Sequence, residues 1–226
     1  MSGRGSQDAG VKFIGAKRSR ASAEDRLNEI LRVAGSNFKK HGYRGTRLDD
    51  IADELGVTRA ALYYYFRSKQ EILEILCSEN MAAAEAIVAA VREYDDPAER
   101  LTQFIRLYAP VITADSAFIF FRDRSELRPA FRRVILARAR RLTDAVETLV
   151  RDGMADGAIR EDLRPRLTAA GILGMLNWTM QWFNPSGPTS IDVLADAYAD
   201  LLWRGLRADG PMPPDTGNGA QTDGAP

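Results

Sequence analysis

Apolar residues recur at helical spacing along most of this chain. Leu27, Ile30, Leu31, Ala34 and Phe38 form one stripe, and Gly42 follows it, which predicts a helix from about Ser22 or Ala23 to His41. Leu48, Ile51, Ala52 and Leu55 recur at i, i+3, i+4 and i+7, the signature of a short amphipathic helix. Thr46 is expected to cap that helix, with Asp49 completing a capping-box-like pair, and Gly56 to stop it by entering the left-handed region. Thr58 then caps a second short helix whose buried side is Leu62 and Phe66. Ser68-Lys69-Gln70-Glu71 fits the S-x-x-E capping box and opens a longer helix to about Tyr94.

Two short capped helices around a glycine turn make a helix-turn-helix, whose second helix enters the DNA major groove. With Leu62 inward, Ala60 and Tyr64 face outward, flanked by Ala61 and Tyr63. Arg59 sits in the first turn, where an arginine can donate to guanine, and aromatic rings can contact thymine methyls or phosphates. Lys69, at a helix start, is a candidate phosphate anchor. The candidate DNA-binding residues are therefore Thr46, Thr58, Arg59, Ala60, Tyr63, Tyr64, Tyr65 and Lys69.

This stretch resembles the DNA-binding domain of the TetR family of transcriptional regulators. The shared pattern is F-x-x-x-G, T-x-x-x-I-A, G-V-[ST], L-Y-x-Y-F and S-K-x-x-[IL]. It is carried here by Phe38, Gly42, Thr46, Ile51, Ala52, Gly56, Val57, Thr58, Leu62, Tyr63, Tyr65, Phe66, Ser68, Lys69 and Ile72. The resemblance implies a dimer that reads palindromic double-stranded operator DNA, with a C-terminal body that binds a small ligand and dimerises through its last two helices.

Beyond that head the pattern stays helical. Pro97 begins a helix with the stripe Leu101, Phe104, Ile105, Tyr108 and Ile112, and Pro110 should kink or stop it. Ala117–Phe121 is apolar on every side, as in a helical core or cavity wall. A long helix from Leu127 or Pro129 to Arg151 carries Arg132, Arg133, Arg138, Arg140 and Arg141 on its polar face, and Asp152-Gly153 is expected to close it. Leu167–Phe183 and Ile191–Leu206 are two further helices, separated by the turn Asn184-Pro-Ser-Gly-Pro188. No segment alternates like a half-buried strand. The predicted fold is all-α: a three-helix head bearing the helix-turn-helix, and a helical-bundle body of five or six helices for ligand binding and dimerisation.

The expected divisions are a flexible basic arm at 1–22, the DNA-binding domain at 23–68, the ligand-binding and dimerisation domain at 69–208, and a disordered tail at 209–226. Arg4, Lys12, Lys17, Arg18 and Arg20 make the arm either an extra DNA contact or a passive extension. Formal net charge is zero over 226 residues, yet residues 1–70 hold 14 Lys and Arg against 8 Asp and Glu, and the remainder 17 against 23. One basic end on an acidic body suits a protein that presents that end to phosphates. A single cysteine, Cys77, excludes an intrachain disulfide, and no apolar run approaches membrane-spanning length, so a cytoplasmic protein with no membrane partner is expected. With one histidine, His41, and no paired carboxylates on an apolar face, an enzyme, a metal site and a cofactor are set aside.

Phe104, Tyr108, Phe118, Phe120, Phe121, Trp178 and Trp182 are candidate pocket aromatics, with Tyr108, Asn177 and Gln181 as polar groups. The Trp-rich penultimate helix and its W-F-N-P-S-G-P sequel resemble family members that repress lipid or steroid degradation in response to acyl-CoA thioesters. That resemblance implies Arg138 and Arg141 for the CoA phosphates, beside an apolar pocket of Phe104, Tyr108, Phe118, Phe121, Asn177, Trp178, Gln181 and Trp182. The function expected is a repressor released by a small hydrophobic effector. The alternatives are an activator, or a constitutive or architectural DNA-binding protein without a ligand.

Overall fold

The computed structural model describes residues 9–208, with side chains from residue 23 onward. Nine α-helices make up the described chain: α1 (Ala9–Gly45), α2 (Leu48–Glu54), α3 (Arg59–Tyr65), α4 (Lys69–Val91), α5 (Pro97–Thr113), α6 (Asp115–Asp123), α7 (Pro129–Ala155), α8 (Pro165–Trp178) and α9 (Ile191–Leu206). The all-α expectation holds, with three helices in the head and six in the body.

Several boundaries differ, each for a physical reason. The first helix begins at Ala9 rather than near Ser22, so much of the predicted arm is helical. The segment 9–22 has no proline, and extending an existing helix costs far less than nucleating one. The rest of the arm and the tail at 209–226 lie outside the described residues. Gly42 interrupts α1 with φ of 77°, so the predicted stop is present although the chain recoils to Gly45. The helix α5 runs one turn past Pro110 and then breaks by 73° into α6. Gly153 does not close α7, which continues to Ala155 and ends before Gly157 at φ of 78°. The residue at 153 is small because Ile159 presses on it: a Cβ there would sit 2.6 Å from the Ile159 Cδ1 atom. Beyond α8 the chain tightens into the 3-10 turn Thr179–Gln181 rather than staying helical to Phe183.

One buried cluster runs from Ile30 in α1 to Leu206 in α9, so head and body share a core. The helix α1 packs on α6 and α4: a Cβ added at Gly35 would come within 4 Å of Leu76 and Ile119 side-chain carbons. Within the apolar run, Ala117, Ile119 and Phe120 are buried. Among the described residues no single helix is long and apolar enough to cross a membrane. Cys77 is fully buried, and burial pushes its thiol up to about 12, which leaves it a packing residue.

Candidate DNA-reading surface and effector cavity

The turn between α2 and α3 is built by backbone bonds that only a left-handed residue permits. Gly56 has φ of 64°, its N–H reaches the Asp53 carbonyl at 3.1 Å, and the Val57 N–H reaches Ala52 at 3.0 Å. This is a Schellman stop. Thr58 follows in extended conformation and its hydroxyl accepts from the Ala61 N–H at 3.2 Å, capping α3. Leu62 and Phe66 anchor the helix in the core at 2% and 3% exposure.

That burial leaves the opposite face to solvent. Arg59 and Ala60 are exposed, Tyr63 is half exposed, and Tyr64 stands out at 83%. Tyr65 is partly buried and meets Tyr64 edge to face at 5.1 Å between ring centres. Arg59 is pre-positioned: its guanidinium donates to Asp49 Oδ2 and to the Tyr63 hydroxyl, each at 3.2 Å. The Tyr63 hydroxyl foremost, and then the Asp49 carboxylate, raise the Arg59 pKa further above its usual range.

Two expected DNA contacts have their polar groups engaged within the chain. Lys69 does not reach outward; its Nζ donates to the Tyr43 carbonyl at 2.6 Å and the Thr46 carbonyl at 2.8 Å, 4.2 Å from the Tyr43 ring centre. Desolvation in this position lowers its pKa. Thr46 is 1% exposed and spends its hydroxyl on the Gly42 carbonyl at 2.9 Å. The cap of α2 is one residue later than expected: the Arg47 N–H donates to Asp50 Oδ2 at 2.8 Å. Ser68 does cap α4, accepting from the Glu71 N–H at 3.2 Å.

In the body, α4, α5, α6, α7 and α8 line a cavity of about 340 Å³, with Met81, Phe120, Leu142 and Leu173 among its apolar walls and Asn80, Tyr108, Thr143 and Asn177 as polar points. A second compartment of about 420 Å³ lies between α6 and α8, lined by Phe118, Phe121, Trp178 and Gln181. The two share Phe121, Arg124, Gly174 and Asn177 as common wall. The Tyr108 hydroxyl donates to Asn177 Oδ1 at 3.1 Å, and burial pushes its phenol well above the usual tyrosine range.

Not every predicted pocket residue lines this space. Phe104 is fully buried behind it, stacked on Tyr108 at 5.3 Å. Trp182 is 54% exposed and meets Phe183, outside both compartments. Arg138 turns to α4, where its guanidinium makes a bidentate pair with Glu85 at 2.9 and 2.7 Å. Arg141 lies on the exposed side of α7 near the same carboxylate. Neither arginine belongs to the lining of the two compartments.

The arginines that do are Arg122 and Arg124, which periodicity did not single out. Arg122 is spent on structure: it donates to the Phe38 carbonyl, to the Lys39 carbonyl at 2.9 Å, and to Asp123. The Arg124 guanidinium, on an exposed residue, has no ion pair or hydrogen bond among the described residues and rests over the Phe121 ring, 6.0 Å from its centre; the backbone carbonyl accepts from the Leu127 N–H at 3.4 Å. It opens the 3-10 turn Arg124–Glu126, and that turn touches the head. Gln70 donates to the Glu126 carbonyl at 3.1 Å, and Arg44 to the Glu126 carboxylate at 3.0 Å. Arg128, just beyond, clamps Glu74 of α4 with both guanidinium edges. The one available signal was the alternating charge of Arg122-Asp-Arg-Ser-Glu126-Leu-Arg128, directly after an apolar run.

Residues 30–76 match the family model for bacterial regulatory proteins of the tetR family, and residues 94–206 match the tetracyclin repressor-like C-terminal domain. The chain belongs to the TetR family. Among TetR-family relatives it is similar to the HTH-type transcriptional repressor KstR2 of Rhodococcus jostii, at 26% identity over 80% of this chain and 91% of that one. The regulator PfmR of Thermus thermophilus is 31% identical, with a TM-score of 0.73 over 81% of this chain and 99% of that one. AibR, solved in complex with isovaleryl coenzyme A and operator DNA, is 26% identical, with a TM-score of 0.69 over 79% of this chain and 98% of that one. A TetR-family head with α3 as its outward helix accounts for the exposed Arg59–Tyr64 face. The TetR-family body accounts for the cavity, and α4 joins the two.

Proposed function

We propose that this chain is a dimeric repressor that reads a palindromic operator through α3 and releases it when a small ligand with a hydrophobic part fills the body cavity. An acyl-CoA thioester is the leading ligand class. The observation that carries this reading is the position of the 3-10 turn Arg124–Glu126: it walls both compartments at Arg124 and holds the head at Glu126. A ligand that displaces this turn alters the support of α1 and α4 together. The ligand can shift the DNA-binding population only by its differential affinity for the two states. The AibR complex supports the ligand class, and the KstR2 likeness supports repression.

The dimer reading rests on α8 and α9. Leu167, Gly171, Gly174 and Trp178 line one exposed face, and Val193, Ala197 and Leu201 another. Leu167, Trp178, Val193 and Leu201 are 60–68% exposed, and such clustered apolar exposure marks interaction surfaces rather than ordinary monomer surface. A Cβ at Gly171, Gly174 or Gly205 would meet nothing within 4 Å in this chain, leaving room for a partner helix. An isologous pair would bring two α3 helices to successive major grooves, about 34–36 Å apart.

Two measurements test the reading. Operator fragments selected from genomic DNA should be bound by the wild-type chain and released by acyl-CoA. Leu201→Arg should give a monomer in sedimentation with operator affinity reduced by at least tenfold. A protein that stays bound through every acyl-CoA, free acid and steroid supplied is a constitutive binder. A Leu201→Arg dimer of unchanged affinity would remove α9 from the interface.

A further inference from the structure

We propose that Arg124 is the anion-recognising residue of the effector site, and that the effector is an amphiphile with a single acidic end. Its apolar part would occupy the inner compartment and its carboxylate or phosphate would meet Arg124. The inference rests on the effector reading above and names the group that reading lacks.

Three observations carry it. First, Arg124 stands on the wall common to the two compartments, at the edge of both. Second, its charge has no acidic partner, whereas Arg122 beside it is saturated by Asp123 and two α1 carbonyls. An exposed guanidinium with no carboxylate against it is available to pair with an anion at the cavity wall, and its fork suits carboxylate or phosphate. Third, no carboxylate lines either compartment; apart from the two arginines every polar lining side chain is neutral. A cationic ligand finds no counter-charge there, and a neutral one forgoes the pairing that Arg124 offers.

The geometry also joins recognition to response. Arg124 is the first residue of the turn that ends at Glu126, so an anion that draws the guanidinium inward pulls on the Gln70 and Arg44 contacts two residues away. The acidic end and the DNA head therefore act on the same three residues.

The test uses full-length protein with octanoyl-CoA, octanoate and octan-1-ol as chain-matched probes, read by melting temperature and by release of a selected operator fragment. In wild type, at least one of the two anions should raise the melting temperature and release DNA, and octan-1-ol should do so more than tenfold less well. Octanoate alone would assign a free carboxylate to Arg124, and octanoyl-CoA alone the CoA phosphates. Arg124→Gln should weaken the active anion by roughly tenfold or more, the effect expected for a charge-assisted pair. Arg124→Lys, which keeps the charge, should recover part of that loss, and Arg141→Gln should lose nothing. Equal binding of octan-1-ol and octanoate overturns the proposal, as does an Arg124→Gln protein that binds anions like wild type. If no probe shifts wild type, the proposal falls. Operator binding in that same sample then tells whether the regulator reading stands without it.

Discussion

Lys69→Met separates two roles for one residue. A lysine at the start of α4 is the natural phosphate anchor of such a head, and losing one phosphate contact makes the salt dependence of DNA binding shallower by about one unit. The structure instead engages the ammonium with the carbonyls of Tyr43 and Thr46, at 2.6 and 2.8 Å, where it ties the recoil after Gly42 to α4. Methionine keeps the apolar stem against the Tyr43 ring and removes both bonds. Charge-assisted bonds contribute about 1.5–3 kcal/mol each when buried, and this site is partly open, so the pair should contribute about 2 kcal/mol in all. For a chain of this size that corresponds to a fall of roughly 4–8 °C in melting temperature. The assays are urea unfolding of the apo protein and operator binding across a salt series. Expected are a lower unfolding midpoint and an unchanged salt slope. A slope shallower by about one unit, with unchanged stability, would refute the structural role.

Three further outcomes follow from the same contacts. Arg128 holds the Glu74 carboxyl below its ordinary range, against the opposing cost of burial, so this pair stabilises fully above the unfolded carboxyl's pKa near 4.5 and the gain is lost as pH falls through the folded value. The stability difference between wild type and Glu74→Gln should therefore be constant at neutral pH and shrink below about pH 5, as followed by urea midpoints; a difference that grows in acid would contradict the assignment. Gly153→Ala should destabilise by about 1–3 kcal/mol through overlap with Ile159, and cost almost nothing further in an Ile159→Ala background. Asp49→Ala should lower operator affinity while raising affinity for random DNA, because it frees Arg59 and removes a negative charge from the DNA face. A specificity ratio that does not fall would show that Asp49 leaves Arg59 unchanged.

The head was legible because its determinants are local. Gly56, Thr58, Leu62 and Phe66 act within one turn of each other, through a left-handed stop, a side-chain cap and a two-residue anchor. The intramolecular partners of Lys69 and Thr46 were not legible because they depend on how the chain recoils: Lys69 reaches back 26 residues to Tyr43. The cavity was half legible. Composition marks the aromatics, yet Phe104 and Phe118 look alike in sequence, and only the packing of α5 behind Tyr108 puts one in the core and the other on the wall. The arginines were the hardest. Arg138 and Arg141 stand on a conspicuous polar face, but the availability of a guanidinium depends on the nearest carboxylate in space. For Arg138 that carboxylate is Glu85, 53 residues earlier.

Magnitudes also constrain how an effector reaches the operator. A hundredfold change in DNA affinity requires about 2.7 kcal/mol of differential binding. The Arg44–Glu126 pair cannot supply it, since Arg44 is 85% exposed and an exposed pair is screened by water and salt. The seam nearby is different in kind. Arg122 donates to two α1 carbonyls, and a Cβ added at Gly35 of α1 would already touch Ile119 of α6 at 3.9 Å, so α1 and α6 are closely coupled. A ligand that moves the turn at 124–126 must carry α6 and α1 together, because packed helices resist partial displacement. In the proposed mechanism the turn at 124–126 would act on the head chiefly through this buried seam, with the Glu126 contacts at its edge adding a smaller share.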